Sequence, residues 1–304
     1  MMNKTLAYVF LTITVSAWGS LYVVSKFVLN QVPAFTVLFI RYLISGIALF
    51  IFLQTRKDAK SKKIDPKDYK YFIFVGIVGY FLGIGAQLLG TKLSNASLAS
   101  LINSVNPIFI IIFAVIILKE KITINKIVAV IATLIGVYII IGGQGKGGNV
   151  LGILLSIVSV ILWSLMSVVV RKIAKKYDAI TITTYGILIA AICTLPISVI
   201  ELATTKNVGI FKPSVAISLL YMGLICTALA HMLWNKSLSI IEASSCALFY
   251  PLQPMISAIL GCLFLGETIT LSFIGGAVLI LGGVLFSIIP ADKVNGLLRE
   301  KRNN

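Results

Sequence analysis

Residues 96–123 (ASLASLINSVNPIFIIIFAVIILKEKIT) and 243–270 (ASSCALFYPLQPMISAILGCLFLGETIT) align without a gap at an offset of 147, with nine of 28 positions identical. Apolar matches carry little weight in so hydrophobic a chain. The shared proline (Pro107 and Pro254) and the shared glutamate (Glu120 and Glu267) carry more, because both fall in register. The register continues through Gly136/Gly283 and Val137/Val284, and at an offset of 145 Trp18 meets Trp163 and Lys26 meets Arg171. The chain is therefore a tandem duplication of roughly 145 residues, and any fold must be built from two copies of one unit.

Composition then selects the solvent. With 59% hydrophobic and 12% charged residues over 304 positions, the chain is not a soluble globular one. Apolar runs long enough to cross a bilayer are expected near 6–25, 35–54, 71–91, 97–118, 123–142, 150–170, 180–200, 214–235, 243–265 and 270–289. Lipid offers the backbone no partners, so each must be helical, and the fold class is an all-α membrane protein of ten transmembrane helices. The units are expected at 1–142 and 150–290, joined by a Gly-rich linker at 143–149 and followed by a basic cytoplasmic tail at 291–304. Five helices per unit is an odd number, so the second copy enters the membrane upside down, the inverted-repeat plan of secondary transporters.

The net charge of +16 raises nucleic acid or an anionic surface as partners. Its distribution argues for topology instead: twenty Lys and Arg fall on one side of the expected spans and five on the other. That asymmetry puts both termini in the cytoplasm. The expected setting is a bacterial inner membrane, with the lipid bilayer as partner, no nucleic acid, and a monomer or weak homodimer. Cys193, Cys226, Cys246 and Cys262 all fall inside spans and read as buried small hydrophobes. The run 142–148 superficially resembles a phosphate loop, but no Ser or Thr follows Lys146, so it reads as linker. The N-terminus could pass for a signal peptide, yet its apolar run continues to Val28 and Trp18 has a repeat mate, so it reads as the first span. In the third span Gly76, Gly79, Gly83 and Gly85 predict close helix approach.

Several residues could carry chemistry. Pro107 and Pro254 stand near the centres of spans four and nine, where each removes a helical hydrogen bond and frees the carbonyl of Asn103 or Tyr250. Before each proline stands a polar pair, Asn103/Asn106 in one repeat and Tyr250/Gln253 in the other, which either lines a cavity or clamps two helices. Trp18 and Tyr22 share a face of span one and correspond to Trp163 and Ser167 in span six. Trp18 and Trp163 face the cavity or sit in an interfacial belt; Trp234, near a span end, reads as a belt residue. Arg41 is the clear intramembrane charge, functional or snorkelling to the interface. His231 is the single histidine, too few for a metal site, and reads as a bonded core residue or a proton relay. Glu120 and Arg171 should reach one membrane surface and Lys26 and Glu267 the other. Each pair is a candidate gate, or each glutamate complements the N-terminus of the helix that follows it. No cofactor and no metal is expected.

The duplicated pattern, with Pro107…Glu120 and Pro254…Glu267 closing spans four and nine, Trp18-Gly19 in span one and Arg41 in span two, resembles the EamA family of the drug/metabolite transporter superfamily over residues 6–289. The resemblance implies an inverted-repeat bundle that moves small metabolites, often amino acids outward, by alternating access. The related small multidrug resistance proteins carry a glutamate in the middle of their first helix, and span one here has none. A lining of amides, Tyr and Trp without a carboxylate therefore suits a neutral or zwitterionic solute, an amino acid first. The alternatives are an exporter of drugs or organic cations, which the aromatics would serve by cation–π contact, and, more remotely, a non-transporting receptor or scaffold. An intramembrane hydrolase would need paired aspartates, clustered His and Glu, or GxSxG, and the sequence offers none.

Overall fold

The computed structural model describes residues 4–55, 64–93, 96–142, 150–205, 208–265 and 271–288, and every regular element among them is helical. In chain order these are α1 (Lys4–Leu29), α2 (Ala34–Thr55), α3 (Pro66–Leu93), α4 (Ala96–Asn103), α5 (Asn106–Leu118) and α6 (Ile124–Gly142), then α7 (Val150–Ile173), α8 (Ala179–Thr204), α9 (Pro213–Ile240), α10 (Ala243–Ala247), α11 (Leu252–Leu265) and α12 (Leu271–Ile288). Among the described residues seven helical stretches are long and apolar enough to cross a membrane, and Asn106–Leu118 and Ile124–Gly136 are shorter apolar helices. The outer faces are apolar too: Phe50, Ile51, Ile192 and Val199 are exposed, as a lipid-facing surface requires and a water-facing one avoids.

Helix pairing is reciprocal between the halves. α2 packs along α8, and α6 along α12. α1 packs on α9 while α3 packs on α7; α1 meets α11 while α5 meets α7. Each of these contacts thus has its counterpart with the roles exchanged, the mark of a two-fold relation.

The runs expected as single spans at 97–118 and 243–265 are each broken in the middle. Ser104 and Val105 separate α4 from α5, and residues 248–251 separate α10 from α11. Both prolines fall in the first turn of the helix after the break, where a missing N–H leaves nothing unpaired. At these two prolines the helix is interrupted rather than kinked, whereas Pro196 stays inside the continuous α8.

The third helix of each half deviates in the same place. Val75–Gly83 in α3 and Met222–Leu229 in α9 are wound as π-helix, and Val75 and Met222 are equivalent at the offset of 147. Gly76 and Gly223, also equivalent, bring these stretches against their neighbours. A Cβ on Gly76 would stand 2.6 Å from the Ile189 Cβ, and one on Gly223 2.7 Å from the Ile44 Cγ2.

Candidate functional site

The two breaks and the turn of α9 that follows its π-wound stretch converge on one cavity inside the bundle. Trp18 and Tyr22 reach it from α1, Arg41 from α2, Gln87 from α3 and Asn103 from the end of α4. The second half supplies Ser159 and Trp163 from α7, His231 from α9, Tyr250 from the break before α11 and Gln253 from the first turn of α11. The concavity, mouth included, encloses about 430 Å³, of which only about 30 Å³ can be reached by the centre of a water molecule. One or two waters fit in that space.

Aromatic rings form its wall. The equivalent tryptophans Trp18 and Trp163 meet edge to face at 5.4 Å and 88°, a favoured geometry for two ring quadrupoles. Both indole N–H groups are satisfied: Trp18 Nε1 donates to the Cys226 carbonyl at 3.1 Å, and Trp163 Nε1 donates to the Tyr250 hydroxyl. Trp234 is a core residue rather than a belt residue. It is 0% exposed and packs against Trp18 at 5.5 Å and Tyr250 at 5.0 Å. α9 runs on to Ile240, so position 234 lies well inside the helix and not at its end.

The polar groups divide into those that hold the wall and those that face the space. Asn106 and Ser167 do not line the cavity. Asn106 is a clamp: its Nδ2 donates to the Asn103 carbonyl at 2.7 Å and its Oδ1 accepts from Ser164 Oγ of α7 at 3.0 Å. Ser167 lies one turn beyond Trp163, buried, with no partner for its hydroxyl among the described residues. The carbonyls expected to be freed by the prolines are both occupied, that of Asn103 by Asn106 and that of Tyr250 by the Gln253 N–H at 2.9 Å. The break itself supplies these donors, through a side-chain amide in one copy and a turn N–H in the other. Gln87 Nε2 donates to the Tyr22 hydroxyl at 2.7 Å.

Arg41 does not snorkel. It is 1% exposed, and its Nε and Nη2 both donate to Thr227 Oγ1, at 3.2 and 3.0 Å. His231 Nδ1 stands 2.8 Å from the carbonyl of the same Thr227. No acidic side chain lines the cavity among the described residues.

The candidate gates sit at the bundle ends. Glu120 accepts from the Ala243 N–H at 3.0 Å and from the Ser244 N–H at 3.3 Å and hydroxyl at 2.6 Å. It therefore caps the first turn of α10 in the other half, neither pairing with Arg171 nor capping the α6 that follows it; the two-fold packing brings the foreign helix end nearer. Lys126 reinforces this junction through Glu242 and Ser244 Oγ. Arg171 donates to the Leu238 carbonyl. At the opposite end of α8, Glu201 accepts from the Phe35 and Thr36 N–H groups at 3.2 and 2.7 Å, capping α2. Lys26 is exposed and meets no acidic side chain among the described residues, and Glu267 lies outside them.

Sequence reasoning missed Gln87, Ser159 and Thr227. A lone amide in an apolar run marked Gln87; Ser159 and Thr227 carry no such mark, since small hydroxyls are common in membrane helices.

A profile described as the EamA-like transporter family matches residues 5–142 and again residues 150–289. An uncharacterized transporter of Archaeoglobus fulgidus is 27% identical over 282 residues, covering 91% of this chain and 96% of its own. One of Clostridium kluyveri is 26% identical over 298 residues, covering 95% of each. The uncharacterized transporter YyaM of Bacillus subtilis is 27% identical over 263 residues, covering 83% and 84%. A solved crystal structure superposes with a TM-score of 0.79 over 96% of this chain and 99% of its own; at 18% identity that likeness shows the fold.

Proposed function

Because the chain belongs to the EamA-like transporter family, we propose that this multi-pass membrane transporter is an amino-acid exporter or facilitator that works by alternating access through the central cavity. In this reading the two profile matches are ten spans in two inverted units, with both termini in the cytoplasm of a bacterial cell. The reciprocal pairing of α1 with α9 and α3 with α7 supports that arrangement.

The observation that carries the reading is the composition and size of the cavity. Both halves contribute to it, its lining is rings, amides, one serine hydroxyl, one guanidinium and two aliphatic side chains, and its free space is about 30 Å³. Sites that enclose an organic ligand measure roughly 300–1,000 Å³. Admitting a solute therefore requires the halves to separate on one side, and the broken helices and π-wound stretches are where a packed bundle yields. A neutral or zwitterionic solute suits a lining without carboxylates.

The test is flux of each of the twenty amino acids into and out of liposomes that hold the purified protein. Rates equal to those of protein-free liposomes across all twenty would remove the amino-acid assignment. The second reading, export of organic cations, draws on the rings of Trp18, Trp163 and Tyr250 as cation–π partners; the fixed charge of Arg41 weighs against it. Loss of drug resistance in a Trp18→Ala, Trp163→Ala pair with amino-acid flux intact would favour it.

A further inference from the structure

We infer that the solute is read by two side chains anchored on one threonine: Arg41 binds its carboxylate, and His231 Nε2 accepts a hydrogen from the nitrogen beside that carboxylate. The inference rests on the carrier reading above and narrows it to free 2-amino acids, with neither charged group blocked.

The geometry begins at Thr227, inside the π-wound stretch of α9. Its hydroxyl donates to the Met222 carbonyl at 2.6 Å, so its lone pairs are left for Arg41 Nε and Nη2. A guanidinium has five N–H groups in a planar fork. Arg41 Nη1 makes no hydrogen bond among the described residues, and no counter-ion lines the cavity with it. A buried guanidinium without an anion is costly, and a carboxylate matches its fork with two parallel bonds.

His231 supplies the complement. A carbonyl oxygen only accepts, so the Nδ1 that faces Thr227 O carries the hydrogen, and Nε2 presents a lone pair. That nitrogen is buried, with no partner among the described residues. The rings of Trp18, Trp163 and Tyr80 surround the imidazole at 5.4, 5.5 and 5.1 Å. The Asn103 and Tyr250 carbonyls are already bonded, whereas His231 Nε2 is a fully buried lining acceptor with no donor among the described residues. One residue thus fixes the spacing of the two groups, through its hydroxyl on one side and its carbonyl on the other.

The experiment measures binding and thermal stability of the full-length protein with the twenty amino acids. It then compares one that binds with its decarboxylated and deaminated analogues: for leucine, 3-methylbutylamine and 4-methylpentanoate. The wild type is expected to prefer the amino acid over either analogue by about 30-fold or more, the usual loss when one partner of a buried charged pair is removed. Arg41→Gln should erase the preference over the amine while leaving that over the deaminated acid. His231→Phe, which keeps the ring packing, should erase the preference over the deaminated acid alone. Arg41→Lys keeps the charge without the fork, and serves if Arg41→Gln does not fold. Unchanged ratios in variants that melt like the wild type overturn the inference and leave the carrier reading standing if flux persists. A wild type that neither binds nor moves any amino acid overturns both.

Discussion

Helices α3 and α9 are two copies of one element. Each begins at an equivalent proline, Pro66 or Pro213, and each turns to π-helix at an equivalent residue. In each, a side chain captures the carbonyl of an equivalent position, Tyr80 or Thr227. The captors differ. In α3 the Tyr42 hydroxyl donates to Tyr80 O at 2.6 Å, a neutral bond away from the cavity. In α9 the captor is His231, and the Thr227 hydroxyl also carries Arg41. Duplication preserved the backbone irregularity, and the side chain that collects its free carbonyl decides whether the bulge is structural or a place to bind.

The largest effect should come from Thr227→Val, which keeps the shape and removes the acceptor of two Arg41 N–H groups. Hydrogen bonds to charged groups contribute about 1.5–3 kcal/mol, and a stability loss near the top of that range is expected because nothing else among the described residues accepts from the Arg41 guanidinium. Thr227→Ser should restore most of it. Thermal unfolding in detergent reads both, and a Thr227→Val protein that melts like the wild type would make the two bulges equivalent after all.

Next come the paired glycines. Gly76→Ala and Gly223→Ala each press a methyl into an isoleucine closer than 3 Å, and overpacking of this kind costs about 1–3 kcal/mol. Similar losses from both would sharpen the symmetry of packing; a loss from one alone would confine the close approach to one half. Smaller again is Tyr42→Phe. It leaves Tyr80 O without its donor, for which about 1 kcal/mol is expected, with amino-acid flux retained because Tyr42 does not line the cavity. Loss of flux in a stably folded Tyr42→Phe protein would put the first bulge in the transport cycle.

This asymmetry was only partly legible in the sequence. Hydrophobic length and proline geometry act locally, so the apolar runs and the prolines marked the two segments that break, although each was read as one continuous span. Trp18, Trp163, Asn103, Tyr250 and Gln253 stood out as polar or aromatic groups deep in spans. The π-winding left no such trace, since it shifts a helix by one residue over two turns, less than the scatter of an apolar pattern. Thr227 was invisible for a related reason: a threonine gains its role only from the guanidinium and imidazole that two other turns deliver to it. Trp234 misled because distance from a span end says nothing about which neighbour covers the face, and the choice between cavity and clamp for Asn106 waited on Ser164 of α7.

The comparison extends to the entrances of the two helices, where the smallest effect is expected. Asp65 precedes Pro66 as Lys212 precedes Pro213, so equivalent positions carry opposite charge. At α3 Lys176 Nζ lies 2.6 Å from Asp68 and 3.4 Å from Asp65, and the Tyr177 hydroxyl also donates to Asp68. The bond from Lys176, then that from Tyr177, holds the Asp68 carboxyl below its ordinary value of 3.8. The same bond to Asp68 holds the Lys176 ammonium above its ordinary 10.5. A depressed carboxyl contributes stability above its unfolded value and loses it as the pH falls through its folded one. A raised ammonium contributes fully below its unfolded value and loses it only as the pH rises through its folded one. The α3 entrance is therefore held across the neutral range and released by acid below the ordinary carboxyl value. At α9 Lys212 Nζ donates to Gln31 Oε1 at 2.9 Å, and the Gly209 N–H donates to the Gln31 carbonyl at 3.1 Å, neutral acceptors that acid leaves alone. The two ammonium groups stand at the surface, where salt screens their bonds, so the readout must be local: amide hydrogen exchange over 66–70 and 213–217 at neutral and acid pH, corrected for intrinsic rates. Acid should speed exchange in the first segment only. Equal acceleration in both would mean that acid loosens the whole bundle and that the opposite charges at the two entrances make no difference to how each helix is held.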